Sequence, residues 1–368
     1  MTGHDGPPWE VLLTTPGIRA ILGGILLAGM LIAPIAASES PQKAPLPNIL
    51  ILATGGTIAG TAQNSTDLLH YIPGNLSVES LIASVPEIQS SASVTGEQVC
   101  NINSDDITPE IWLDLARRIN ARLDSAEIDG IVVTHGTDTL EETAYFLNLV
   151  TSGKKPVVIT GSMRPSTALS ADGPLNLLNA VQLAGSADAR GKGVLIALNG
   201  EINGARDTTK TSTRSTDSFR SPDFGRLGYM VDGEPMLYRL PARNHTSASE
   251  FNVTGRTTLP RVDIVLAYPG MDATAIDAFV REGTDGLVIV SMGNGEYPRV
   301  ISPVLQSVAR KGIPVVISSR TGTGITTSND GLFISADTLT PQKARILLML
   351  ALTETHDRSR IAKMFRTY

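Results

Sequence analysis

Short unbroken apolar runs alternate along this chain with longer stretches in which apolar residues recur every three or four positions. The first run, at 48–53, ends at Thr54-Gly55-Gly56 and predicts a buried strand entering a glycine turn. Further runs at 128–134, 155–160 and 193–198 predict strands of the same kind. Between them, Ile111, Leu113, Leu115, Ile119 and Leu123 form a helical stripe, and 140–150 and 175–183 also read as helices. This strand–helix rhythm predicts an α/β fold with a mainly parallel sheet covered on both faces.

The rhythm stops at 239–260, where a polar stretch without apolar period reads as a linker. It then restarts, with strands predicted at 262–268, 286–290 and 313–317 and helices at 275–281, 300–310 and 341–355. The last of these opens on Pro341, a residue suited to a helix's first turn. The expected organisation is two α/β domains with mainly parallel sheets, a larger N-terminal one over 46–238 and a smaller C-terminal one over 261–368. The N-terminus differs. Residues 20–36 are 17 apolar or small residues after Arg19, with Ala36, Ala37 and Ser38 suiting a small-x-small cleavage site. A spanning helix needs about 20 apolar residues, so 1–38 reads as a cleaved export signal, with an uncleaved anchor as the alternative. No cysteine follows the run, which excludes a lipoprotein anchor.

Composition narrows the function classes. The chain is 42% apolar and 18% charged over 368 residues, which excludes a disordered protein. Its net charge of −6 argues against a general nucleic-acid binder. Cys100 is the only cysteine, so neither an internal disulfide nor a cysteine-based zinc site can form. The five histidines show no HxxxH or HExxH spacing, and no metal is expected.

In open parallel sheets, ligands sit beyond the C-terminal strand ends, so the turns there are where chemistry is sought. Two stand out. In Thr54-Gly55-Gly56-Thr57-Ile58-Ala59-Gly60, glycine lets the backbone approach a ligand closely, and Thr57 is a candidate nucleophile, ligand contact or helix cap. The turn fits neither a P-loop nor GxGxxG. In Thr134-His135-Gly136-Thr137-Asp138-Thr139, Asp138 could cap the next helix, bind an ammonium or orient a lysine, while Thr137 could hold a water. A threonine hydroxyl is a poor nucleophile unaided. The candidate helpers are Tyr71 and Lys210, the latter also readable as a solvated loop lysine.

The two turns, TGGTIAG at 54–60 and HGTDTLEETAYFL at 135–147, resemble the two signatures of bacterial-type L-asparaginases. So do GEQV at 96–99, GSMRPS at 161–166, SADGPLN at 170–176, LPARNHT at 240–246 and PQKAR at 341–345. The resemblance covers about 46–368, and the exported class is the nearest match. It implies hydrolysis of L-asparagine to L-aspartate and ammonia through an acyl-threonine, with some action on L-glutamine. Thr57 matches the nucleophile, Tyr71 the tyrosine on the lid, and Thr137, Asp138 and Lys210 the second Thr-Asp-Lys group. Ser104 and Asp138 match positions that hold the substrate's α-carboxylate and α-ammonium, with Asp105 beside them. Backbone N–H groups around Gly56, Gly136 and Ser162 match an oxyanion hole. The resemblance implies no cofactor and a homotetramer of close dimers with shared sites, periplasmic or secreted.

The chain departs from the pattern in three places. Asp105 stands where relatives usually carry Gln or Glu, Glu296 follows Gly295 where Asn or Ser is common, and 321–331 is shorter than in many relatives. Glu296 is the candidate to supply the carboxylate that this shorter stretch withholds from the neighbouring subunit. Two other readings compete. One is a glutaminase-asparaginase of broad specificity; the other is a periplasmic amino-acid-binding protein, which would take up asparagine without releasing ammonia. A Ser-x-x-Lys at 152–155 lacks the KTG partner of an acyl-serine enzyme.

Overall fold

The run at 48–53 becomes β1 (Asn48–Gly55), the strand around which the larger sheet is organised. Its side chains alternate between faces: Ile49, Ile51 and Ala53 enter one core cluster, Leu50 and Leu52 the other. The computed structural model describes residues 45–327 and 331–368. The export-signal and anchor readings of 1–38 lie outside the described residues. Among the described residues, no helix is long and apolar enough to cross a membrane.

After β1 come the two-residue strands β2 (Thr61–Ala62) and β3 (Tyr71–Ile72), which pair as a small hairpin, and then β4 (Ser93–Ile102), β5 (Gly130–Thr134), β6 (Val157–Thr160) and β7 (Val194–Leu198). There follow β8 (Glu201–Gly204), β9 (Thr209–Lys210), β10 (Phe219–Arg220), β11 (Gly228–Val231) and β12 (Glu234–Leu237). The eight-stranded sheet runs β12-β11-β8-β7-β6-β5-β1-β4. It is parallel from β4 to β7 and antiparallel from β7 to β12. The apolar pattern predicts the buried parallel strands. It gives no signal for β4, a half-exposed edge strand, or for the short antiparallel extension.

Chain order explains where a ligand fits. From β1 the chain passes to β4 on one flank, then crosses to β5 on the other. The connections diverge there, leaving a crevice at the C-terminal ends of β1 and β5.

The second sheet is the parallel β13 (Val262–Leu266), β14 (Gly286–Ser291), β15 (Val315–Ser319) and β16 (Ile334–Ser335), in that order. The helix expected at 300–310 is split into a 3-10 turn, Arg299–Ile301, and a helix, Ser302–Arg310. Pro303 has no N–H to donate to the preceding turn, so it is tolerated only in the first turn of the α-helix, where it stands second. Arg358–Thr367 is a helix that the apolar pattern did not predict, because only Ile361, Met364 and Phe365 are buried among its charged residues.

The two sheets share a core. Helices Leu140–Val150 and Pro341–Glu354 pack together, and their buried residues join Val133 and Ile159 of the first sheet to Val288 and Val316 of the second. The polar stretch 239–260 is not a solvated spacer, since Phe251 and Val253 are buried in that same core. Pro45–Tyr368 accordingly forms one compact unit.

Candidate active site

β1 delivers its turn into the crevice with Gly55 and Gly56 at φ 103° and 79°, values that favour glycine. A Cβ on Gly56 would lie 2.3 Å from the Gly136 Cα, so the two glycine turns abut backbone to backbone. Thr57 and Thr137 each follow one of these abutting glycines, and both are buried. Thr57 opens a 3-10 turn, Thr57–Ala59, closed by the Gly60 N–H donating to the Thr57 carbonyl at 2.8 Å. Its Oγ1 lies 2.8 Å from the Tyr71 Oη, so the hydroxyl is engaged by a phenol rather than in capping. Tyr71 belongs to the β2–β3 hairpin and packs over Gly60, where a Cβ would meet its ring at 2.8 Å. The Gly74 N–H donates to the Gly56 carbonyl at 3.0 Å, returning this loop to the glycine turn.

The second turn carries a charged group. Lys210 Nζ donates to Thr137 Oγ1 at 2.9 Å and to Asp138 Oδ1 at 2.6 Å. Asp138 makes no side-chain cap on the helix Leu140–Val150, which removes the capping alternative. Lys210 is likewise no solvated loop lysine, with its side chain only 17% exposed. Ser104 ties β4 to this turn: its Oγ accepts from the Asp138 N–H at 3.2 Å, and its carbonyl accepts from Thr139 Oγ1 at 2.6 Å. Among the described residues, no acceptor takes the Ser104 hydroxyl proton.

Ser162 is buried, and its Oγ donates to the Arg164 carbonyl at 2.7 Å. A Cβ on the preceding Gly161 would meet the His135 carbonyl at 2.5 Å and Thr137 Cγ2 at 3.4 Å, which places this turn against the second one. Asp105 is exposed in the 3-10 turn Ser104–Asp106. Glu296 is exposed beyond the C-terminal end of β14. Among the described residues, no hydrogen bond or ion pair joins Glu296 to the Thr57 or Thr137 groups, so the structure does not bring it to the crevice of its own chain. No group of His, Cys, Asp and Glu suited to a metal occurs among the described residues.

Behind the crevice lie residues that motif reading did not single out. His135 is wholly buried, and burial holds its ring neutral, with a pKa lowered to about 4 despite the opposing hydrogen bond to Gly136. Its Nδ1 is 2.7 Å from the Gly136 carbonyl, which can only accept, so Nδ1 carries the proton. Nε2 then accepts from Thr143 Oγ1 at 2.9 Å, and Thr143 accepts from Trp112 Nε1 at 2.8 Å. The chain Trp112–Thr143–His135 thus pins the Gly136 peptide from the core side. Glu141 is buried one turn beyond Asp138 and accepts from the Lys210 backbone N–H at 2.6 Å. His135, Glu141 and Thr143 lie inside the second signature, whereas Trp112, in the helix Pro109–Leu123, lies outside every signature.

Comparison with known proteins shows the family. Residues 48–243 match the family Asparaginase, N-terminal, and residues 261–365 match the Glutaminase/Asparaginase C-terminal domain. The chain belongs to the asparaginase family of amidohydrolases. It is 48% identical over 338 residues to L-asparaginase 2 of Bacillus subtilis, covering 91% of this chain and 90% of that one. It is 44% identical to the glutaminase-asparaginase of Pseudomonas fluorescens biotype A, covering 93% and 97%. Among solved structures, a probable cytoplasmic L-asparaginase from Campylobacter jejuni superposes with a TM-score of 0.86 at 46% identity, covering 88% of this chain and 100% of that one.

Proposed function

We propose that this chain hydrolyses L-asparagine to L-aspartate and ammonia through an ester on Thr57. One observation carries the reading. Two threonine turns abut in a single crevice, one hydroxyl hydrogen-bonded to Tyr71 and the other to a Lys210–Asp138 pair. Thr57 Oγ1 attacks the side-chain amide carbon while its proton passes toward Tyr71 Oη. The tetrahedral oxyanion faces backbone N–H groups of the glycine turns and the Ser162 turn. The C–N bond breaks, the nitrogen takes up a proton, and ammonia leaves. Water then attacks the aspartyl ester, giving its proton along Thr137 Oγ1, Lys210 Nζ and Asp138 Oδ1, and Thr57 is regenerated. The uncommitted Ser104 hydroxyl donates to the substrate α-carboxylate. The Asp138 carboxylate, 62% exposed at its edge of the crevice, receives the α-ammonium with Asp105 nearby.

Glutamine differs from asparagine by one methylene, worth roughly 1–3 kcal/mol in a fitted pocket. Action on both substrates is supported by the relation to the Pseudomonas glutaminase-asparaginase, and we propose that asparagine is the preferred one. We further propose the two-lobe division at 239–260, export directed by the apolar run at 20–36, and a homotetramer of close dimers. The exposed Glu296 completes a neighbouring subunit's site in that assembly. The test is ammonia release from the purified protein with asparagine and, in parallel, glutamine, for wild type and Thr57→Ala. Release abolished by the substitution is expected. Asparagine bound by the wild type without release overturns the reading in favour of a binding protein. For Glu296→Gln, a raised KM for asparagine is expected, and an unchanged KM removes Glu296 from the site.

A further inference from the structure

Lys343 is 1% exposed, in the first turn of the helix Pro341–Glu354. It lies in the PQKAR stretch, which the chemistry above leaves without a role. Its ammonium donates to the Arg206 carbonyl at 2.9 Å and to the Thr208 carbonyl. Both carbonyls belong to the segment between β8 and β9, and β9 ends on Lys210. On the same segment, Glu141 accepts from the Lys210 N–H at 2.6 Å, and the negative charges of Glu141 and Asp207 act on Lys343. The Arg206 guanidinium adds bonds to Asp207 Oδ1 at 2.7 Å and Thr338 Oγ1 at 2.9 Å. Two buried side chains thus clamp the strand that aims Lys210: Glu141, from the helix that follows Asp138, and Lys343, from the C-terminal lobe.

A buried ammonium is a poor stabilising device, because desolvation opposes the gain from its partners. Burial here pushes the Lys343 ammonium below its ordinary pKa, and among the described residues its hydrogen bonds go to main-chain carbonyls of this one segment. We propose that Lys343 is a positioning residue for the reaction: it fixes the main chain before Lys210, so that Nζ stays within reach of both Thr137 and Asp138. The C-terminal lobe thereby acts on the site of its own chain. This inference rests on the amidohydrolase reading.

The experiment compares wild type with Lys343→Met, Lys343→Arg and Lys210→Met, and with each Lys343 variant combined with Lys210→Met. All are assayed for kcat and KM on asparagine per folded protein, with the melting curve recorded for each. The expected result is a kcat lowered about 10–100-fold in Lys343→Met with KM changed less than about 3-fold. Lys343→Arg, which keeps donors for both carbonyls, recovers a good part of the rate. In the Lys210→Met background neither Lys343 variant lowers kcat further, because each acts through Lys210. A kcat unchanged once normalised to folded protein overturns the proposal, as does an equal loss in both backgrounds. Should Lys343→Met fail to fold, Lys343→Gln, which keeps a donor for only part of the pair, carries the same comparison. A wild type that releases no ammonia overturns the amidohydrolase reading itself, whereas an active wild type with additive losses overturns only the role of Lys343.

Discussion

The two threonine turns are alike in origin and unlike in support. Each leaves a buried parallel strand, passes a glycine and presents a hydroxyl to the same crevice. The turn at Thr57 is completed by a light element, the two-residue hairpin that carries Tyr71, whose partner is a phenol. The turn at Thr137 is backed by the buried Trp112–Thr143–His135 chain and by the Glu141 and Lys343 clamps, and its partner is an ion pair. The difference suits two tasks. A tyrosine on a short hairpin can move with an arriving substrate, while a proton path through Lys210 needs fixed distances. On the proposed mechanism, covalent attack belongs to the first turn and handling of water to the second.

The largest expected effect breaks the pair apart. Thr57→Ala removes the attacking oxygen and lowers kcat by at least about 10³-fold. Thr137→Val leaves attack possible but starves the second step, and lowers kcat by about 10²–10³-fold. Mass spectrometry after mixing with asparagine separates them: an aspartyl ester accumulates on Thr57 in Thr137→Val and is absent from Thr57→Ala. Equal absence in both would show that the two turns serve one step, and the division of labour would fall.

Most of this comparison was legible in the chain. Continuous apolar runs announced β1, β5, β6 and β7, and the glycine turns after β1 and β5 announced the crevice. The half-exposed β4 was not legible, because an edge strand lacks the two-sided apolar pattern of a buried one. At the site, Thr57, Tyr71, Thr137, Asp138 and Lys210 are legible as candidates from their residue types and motifs. Their support was not: Glu141 and Lys343 are 202 positions apart (343 − 141) yet clamp one segment, and only the folded chain shows it. The polar stretch 239–260 hides its packing for a related reason. Phe251 and Val253 have no period to announce them, yet both are buried between the sheets.

A smaller effect probes the rigid turn. Thr143→Val keeps the shape of the side chain but leaves Trp112 Nε1 and His135 Nε2 buried without their shared partner. The expected loss is about 1–3 kcal/mol of unfolding free energy, read from denaturant curves. By the comparison, kcat falls with it, because the Gly136 peptide is no longer pinned. The matched cut in the other turn, Tyr71→Phe, lowers kcat with little change in stability. A Thr143→Val variant that melts early but keeps full kcat would show that the backing serves folding alone.

The smallest effect is electrostatic. Glu142 adjoins Glu141, Lys343 and Arg345, and burial raises its pKa to about 7 against an ordinary value near 4.5. The folded state therefore holds a proton that the unfolded state has released between these two values. By linkage, the stability this group contributes is full below about pH 4.5 and is lost as pH rises through about 7. Glu142→Gln mimics the protonated acid at every pH. Near pH 4 the variant and wild type should melt together, and by pH 8 the variant should melt higher, the gap widening between about pH 4.5 and 7 and staying constant above. The opposite contribution of His135, whose lowered pKa gives stability above pH 6.5 that is lost on acidification toward 4, is common to both proteins and cancels in the difference. A gap independent of pH would show that Glu142 ionises freely in the folded protein. The ionic backing would then be Glu141 and Lys343 alone, and the contrast with the lightly held Tyr71 turn would rest on those two residues.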